Sequence, residues 1–262
     1  MNKNDEFYVG YLDEVGPTTR KKLKRFVIIA LLFIVVGASV FALTQKPFDN
    51  STFELTSETK ITGVYHEMPY PMLRVDLGNG IYKNILLLGF GKLSVNPYLE
   101  EIRSEVDDIS NKTVTIEGNL IYYNGKTLLQ ITSSEKIHLE DVKDTPINSE
   151  KGMGAMTFEG EIIDPKCYFG VMKPGKGKIH RSCAIRCISG GIPPVLATSD
   201  NNDIATYFLL TDLDGEPINE SILEHIGKPS KISGEVERLD DWHILKIDPS
   251  SIIANGKTSV IY

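Results

Sequence analysis

"VTIEGNLIYYNGKTLLQI", residues 114–131, returns without a gap as "SKISGEVERLDDWHILKI", residues 230–247. The alignment pairs Ile116 with Ile232, Gly118 with Gly234, Leu120 with Val236, Leu129 with Leu245 and Ile131 with Ile247. Within each run the shared residues fall at every second position, the period of a half-buried β-strand. Asn124-Gly125 and Asp240-Asp241 interrupt the pattern at equivalent points, and Asn-Gly is the preferred centre of a two-residue hairpin turn. Each copy therefore predicts two antiparallel strands joined by a tight turn.

The similarity extends upstream. "KITGVY" (60–65) resembles "TFEGEI" (157–162), and "NILLLGF" (84–90) resembles "TYFLLTD" (206–212). Between these strands and the hairpin lies a short helix candidate in each copy. In the first, Asn96-Pro97 precedes Leu99, Ile102, Val106 and Ile109; in the second, Pro217 precedes Ile218, Ile222, Leu223 and Ile226. A first-turn proline followed by apolar residues on one helical face is a helix-start signal. Three strands, a helix and two strands is the order of the five-stranded OB barrel. The expected fold is thus mainly β, with two OB-like five-stranded barrels at 58–142 and 155–262, each with one short helix, joined by a linker at 143–154.

The alignment also isolates an insertion. Gly63 to Gly118 spans 55 positions and Gly160 to Gly234 spans 74, so the second copy is longer by 19. Nearly all of the excess falls between its first two strands, in the loop 164–194, "DPKCYFGVMKPGKGKIHRSCAIRCISGGIPP". This connection is one that OB-folds use to bind ligands. It contains every cysteine of the chain.

Cys167, His180, Cys183 and Cys187 form a Cys3His set suited to a soft or borderline metal ion: zinc, or copper or iron. A helix over 183–187 would place both of its sulfurs on one face. Met172 offers a weak thioether that would favour copper, or packs as an ordinary apolar residue. Six basic residues (Lys166, Lys173, Lys176, Lys178, Arg181, Arg186) face the lone Asp164 in this loop, although the chain carries a formal net charge of -7. Lys166, Lys178 and Arg186 are the candidates for balancing thiolate charge, since nearby cations favour the ionised sulfur. A solvated basic loop that docks on an acidic partner is the other reading of the same charges.

Two thiol readings stand beside the metal. Cys183 and Cys187 could act as a thiol–disulfide redox pair, or a disulfide could staple the loop of a purely structural interaction module. The loop lacks the C-x-x-C-H of covalent haem attachment and the second histidine of a Rieske centre. No catalytic residue stands out, and an accessory, assembly or electron-transfer role is favoured over an enzyme. The acidic balance argues against nucleic acid as a partner, because phosphate binding rests on clustered lysine and arginine.

"FYVGYL" (7–12) together with the loop 164–194 resembles a group of bacterial membrane-anchored envelope proteins. The resemblance covers about a sixth of the chain. It implies a bacterial setting and carries no activity.

The remaining signal lies near the N-terminus. "FVIIALLFIVVGASVFALT" (26–44) is nineteen residues without a charge, enough as a helix to cross the roughly 30 Å hydrocarbon layer. Signal-peptide cores are usually about 7–15 residues, so an uncleaved anchor is expected. Arg20, Lys21, Lys22, Lys24 and Arg25 precede it, which puts the tail 1–25 in the cytoplasm and everything beyond the linker 45–57 outside, at a bacterial inner membrane. The aromatic segment 5–17 and the basic loop are the expected contacts to a membrane protein complex.

Overall fold

The computed structural model describes residues 15–45, 51–105, 109–140, 151–199 and 205–254. Residues 1–14, which hold most of the expected docking tail, lie outside the described residues, as do 143–150 of the second linker. The chain divides into two units, residues 1–49 and 50–262.

The first unit contains helix α1 (Pro17–Thr44). Proline is accepted at its start because the first-turn N–H groups have no intrahelical partner. Its 28 residues rise over about 42 Å. It is long and apolar enough to cross a membrane, a property that signal sequences share.

The second unit holds two closed barrels. The first is built from β2 (Thr59–His66), β3 (Met72–Asp76), β4 (Tyr82–Leu88), β5 (Thr113–Tyr123) and β6 (Lys126–Gln130), with helix α2 (Asn96–Glu105) between β4 and β5. Strand β1 (Thr52–Phe53) pairs with the end of β5 and β7 (Ile137–Leu139) with its beginning. Thr52–Phe53, within the expected linker 45–57, is thus part of the barrel unit, held by pairing with Tyr122 and Ile121.

The second barrel comprises β8 (Lys151–Ile163), β9 (Val195–Ser199), β10 (Ala205–Thr211), β11 (Pro229–Leu239) and β12 (Trp242–Lys246), with a two-residue strand β13 (Ile253–Ala254) on β11. Its helix between β10 and β11 shrinks to one 3-10 turn, Glu220–Ile222. In both barrels the third and fifth strands run parallel (β4 with β6, β10 with β12), and the fifth also pairs with the fourth to close the ring. That is OB topology, twice.

Register makes the equivalence quantitative. Ile61 pairs with Ile116, and Phe158 with Ile232. A Cβ on Gly118 would lie 2.4 Å from the Gln130 carbonyl oxygen, and one on Gly234 2.2 Å from that of Lys246. Gly63 and Gly160 meet carbonyl oxygens at 2.6 and 2.4 Å in the same way. Each barrel therefore closes where two strands approach too tightly for any side chain. The third strands sit one residue away from the sequence alignment: Leu86 pairs with Leu128 and Leu209 with Ile244, which matches Asn84 with Tyr207 instead of Thr206. Apolar runs such as "ILLL" and "FLL" leave register open, and burial of both faces removes the alternation that would define it.

Burial of both faces follows from how the barrels meet. Leu73, Ile85, Leu87 and Leu129 fill the first barrel, and Leu196, Phe208, Leu210 and Leu245 fill the second. The alternate residues Met72, Leu86 and Leu128 point outward and meet Val195, Leu209 and Ile244 in a third core between the barrels. These are equivalent positions, so each copy contributes the same patch to the shared core. Trp242 is fully buried in this seam and its Nε1 donates to the Asn84 carbonyl at 3.0 Å. At its rim the buried Arg74 guanidinium pairs with Asp240 at 2.7 Å, and Asn84 N–H donates to Asp241 at 2.8 Å.

Trp242→Ala should destabilise the unit by about 3–5 kcal/mol through cavity formation and the lost hydrogen bond. Gly234→Ala should cost about 1–3 kcal/mol by forcing β11 and β12 apart. Urea unfolding followed by far-ultraviolet circular dichroism measures both; unchanged midpoints would mean that neither seam nor closure carries the fold.

Candidate metal centre

The insertion leaves β8 at Asp164 and returns at β9, crossing the seam in two limbs. The first is a single π-helical turn, Cys167–Val171. The buried Asp164 anchors it: Oδ1 accepts from Lys166 N–H at 2.9 Å and its carbonyl accepts from Tyr168 N–H at 3.0 Å. Phe169 and Tyr168 then pack among Tyr123 and Tyr207 from the two barrels. The second limb is helix α3 (Gly177–Ser189). Glu161 accepts a hydrogen bond from the Gly177 N–H at its start, satisfying one of the orphan donors of the first turn. At the other end Asn219 Nδ2 donates to the carbonyls of Ile188 and Ile192, both at 2.8 Å.

Helical spacing decides which side chains converge. His180, Cys183 and Cys187 stand at i, i+3 and i+7 of α3 and share a face. Ala184 and Ile188 point into the second barrel's core, while Cys187 enters the seam. Cys167 comes across from the first limb. One donor atom each from Cys167, His180 and Cys183 lie within 4.8 Å of one another, and so do donor atoms of Asp164, Cys167 and Cys187. Cys167 belongs to both groups, and no group among the described residues contains both Cys183 and Cys187. All three cysteines are free thiols.

The sequence set therefore meets as two overlapping triads hinged on Cys167, with Asp164 as an added oxygen donor. Two buried polar atoms have no hydrogen-bond partner here: His180 Nε2 and Asp164 Oδ2. Buried polar atoms are normally satisfied, and orphans at a cluster of sulfurs fit a ligand that the protein itself does not supply. Two thiolates with an imidazole suit zinc or another soft or borderline ion. Such an ion would be held by Cys167, His180 and Cys183, and it would fix negative charge on the sulfurs and polarise whatever occupied its remaining position.

The electrostatics mark the same place. Contact with Cys187 and burial push the Cys167 thiol well above its ordinary range, and the neighbouring Asp164 adds to the rise. Burial likewise lowers the His180 pKa, keeping its imidazole neutral and able to act as a ligand.

The cations are arranged differently from the sequence expectation. Lys166 is buried and spends its ammonium on the first barrel, donating to the carbonyls of Gly89 and Gly91 at 2.7 and 2.8 Å. Burial pushes its pKa down to about 8, opposed chiefly by the Asp164 carboxylate. Lys178 and Arg186 are exposed on α3. The cation that touches a sulfur is Lys92 of the first barrel, whose Nζ donates to Cys183 Sγ at 3.1 Å, a contact that raises the lysine pKa. Its loop is seated against α3: Ser94 N–H donates to the Gly190 carbonyl at 2.8 Å, and any Cβ on Gly190 would strike the Lys92 carbonyl oxygen at 1.9 Å. Met172 is 41% exposed.

Asp164 has a sequence signal, an isolated acid three residues before the first cysteine in a basic loop. Lys92 has none, being 91 residues from the sulfur it touches. A cleft of about 250 Å³ lined by Tyr70, Pro71, Val95, Gly191 and Pro217 opens beside the Ser94–Gly190 contact and includes none of the cysteines. No family model, curated protein or solved structure matches the chain. The class of protein is accordingly defined by the molecule itself: a chain with an apolar N-terminal helix and a double OB barrel bearing a Cys/His cluster at the barrel junction.

Lys166→Ala should destabilise the barrel unit by about 2 kcal/mol, because two charge-assisted hydrogen bonds between the insertion and the first barrel are lost. The urea midpoint measures this; an unaltered midpoint would show that the insertion is held without them.

Proposed function

We propose that this protein is a membrane-anchored, extracytoplasmic metal-binding subunit of a bacterial inner-membrane complex, serving in its assembly or electron transfer. The observation that carries the reading is the convergence of Cys167, His180 and Cys183 donor atoms within 4.8 Å; the buried His180 Nε2 has no hydrogen-bond partner. Zinc suits this donor set best, and copper or iron are the other candidates. Cys187 and Asp164, both beside Cys167, are the available further donors. The basic cluster at 20–25, in the first turns of α1 ahead of its apolar stretch, supports a cytoplasmic N-terminus. The exposed Lys178 and Arg186 give α3 a positive outer face suited to an acidic partner surface.

Full-length protein purified in detergent without chelator should contain stoichiometric metal by elemental analysis, and Cys167→Ser and His180→Ala should each lose most of it while retaining the fold. A metal-free wild type under reducing conditions would refute the centre.

The anchor has its own test. The chain should stay in the membrane pellet after alkaline carbonate extraction with residues 1–45 intact by mass spectrometry, and protease added to spheroplasts should digest the barrels. A soluble chain beginning near residue 45 would mean that α1 is a cleaved signal.

A further inference from the structure

Resting on that metal reading, we infer that the centre is redox-gated through Cys167. Oxidation links Cys167 to Cys183 and expels the ion, and every internal disulfide of this protein contains Cys167.

The arrangement of sulfurs carries the inference. Cys167 is the one sulfur common to both donor groups, and Cys183 and Cys187 share none. Cys183 and Cys187 stand one turn apart on α3, where a rigid helix holds their side chains in parallel and does not let them turn toward each other. Cys167 approaches from a separate limb, so its sulfur faces theirs. Closing a gap of less than 4.8 Å to the roughly 2.05 Å of a disulfide needs side-chain rotation and a small shift of the π-turn.

Accessibility orders the events. Cys187 is 1% exposed and locked in the seam, whereas Cys167 and Cys183 are both partly exposed. Of these two, Cys183 is the one in contact with Lys92, a surface residue, and an oxidant arriving from solvent meets it first.

The step balances with a small disulfide, RSSR, as oxidant. The Cys183 sulfur attacks one sulfur of RSSR, breaking its S–S bond, forming a mixed disulfide and releasing one RS⁻. The Cys167 sulfur then attacks the Cys183 sulfur, forming the internal disulfide and releasing the second RS⁻. Two electrons pass from the two cysteine sulfurs to RSSR, and the two thiolates released take up two protons from water. A zinc ion leaves with its charge unchanged, because two of its three protein donors have been consumed. Reduction by a dithiol reverses the sequence and restores the site.

The test uses reduced, zinc-loaded, full-length protein in detergent, treated with oxidised glutathione. Released zinc is read with a chromogenic chelator and disulfides by peptide mapping. The expected result is zinc release in step with a Cys167–Cys183 linked peptide. His180→Ala, which lacks the imidazole but keeps every sulfur, should form the same linkage. Cys167→Ser should form no internal disulfide and should accumulate glutathione on Cys183. A Cys167–Cys187 or Cys183–Cys187 link in place of Cys167–Cys183, zinc release with all thiols still free, or glutathione retained on wild-type Cys183 would each overturn the inference. Failure of the reduced protein to take up zinc overturns the metal reading alone, since the mapping in metal-free protein still decides the pairing.

Discussion

The apolar seam between the two barrels is the constraint on which the rest of the molecule depends. Met72, Leu86 and Leu128 of one copy meet Val195, Leu209 and Ile244 of the other, and Trp242 closes the contact. An isolated OB barrel leaves the outer face of these strands in water. Here that face is buried as fully as the barrel interiors, so the third and fifth strands carry apolar residues at consecutive positions. The polar groups at the rim, Arg74 with Asp240 and Asn84 with Asp241, are held between the same elements and orient one barrel on the other.

The insertion is built onto this seam and not merely attached to the second barrel. Phe169, Cys187 and Ile192 are part of the seam's core, and the Lys166 ammonium bridges to two carbonyls of the first barrel. The first barrel also lends Lys92 to Cys183. The geometry of the cluster consequently depends on both copies, although all of its candidate ligand atoms come from one loop. A disturbance of the junction would reach the sulfurs without touching them, because the two limbs carrying Cys167 and Cys183 are positioned by the barrels they lie between.

Within the cluster, Cys167 has a position that the other donors lack. It stands on a π-helical turn opposite a helix, where it can share an ion with His180 and Cys183 or lie against Cys187 and Asp164. A single hinge sulfur would tie the proposed coordination to thiol chemistry, because any bond it forms on one side is withdrawn from the other.

The repeat, the strand order and the place of the insertion are legible in the order of residues alone. Alternation at Ile116, Gly118 and Leu120, repeated at Ile232, Gly234 and Val236, is a local signal of period two. The spacing of His180, Cys183 and Cys187 is likewise local, since one helix face follows from i, i+3 and i+7. The register of "ILLL" against "FLL", the burial of Lys166, the contact from Lys92 and the division of the donors into two triads around Cys167 emerge from packing. Each of these joins residues far apart in the chain, and apolar runs, single lysines and isolated cysteines carry no mark of their distant partners until packing brings them into contact.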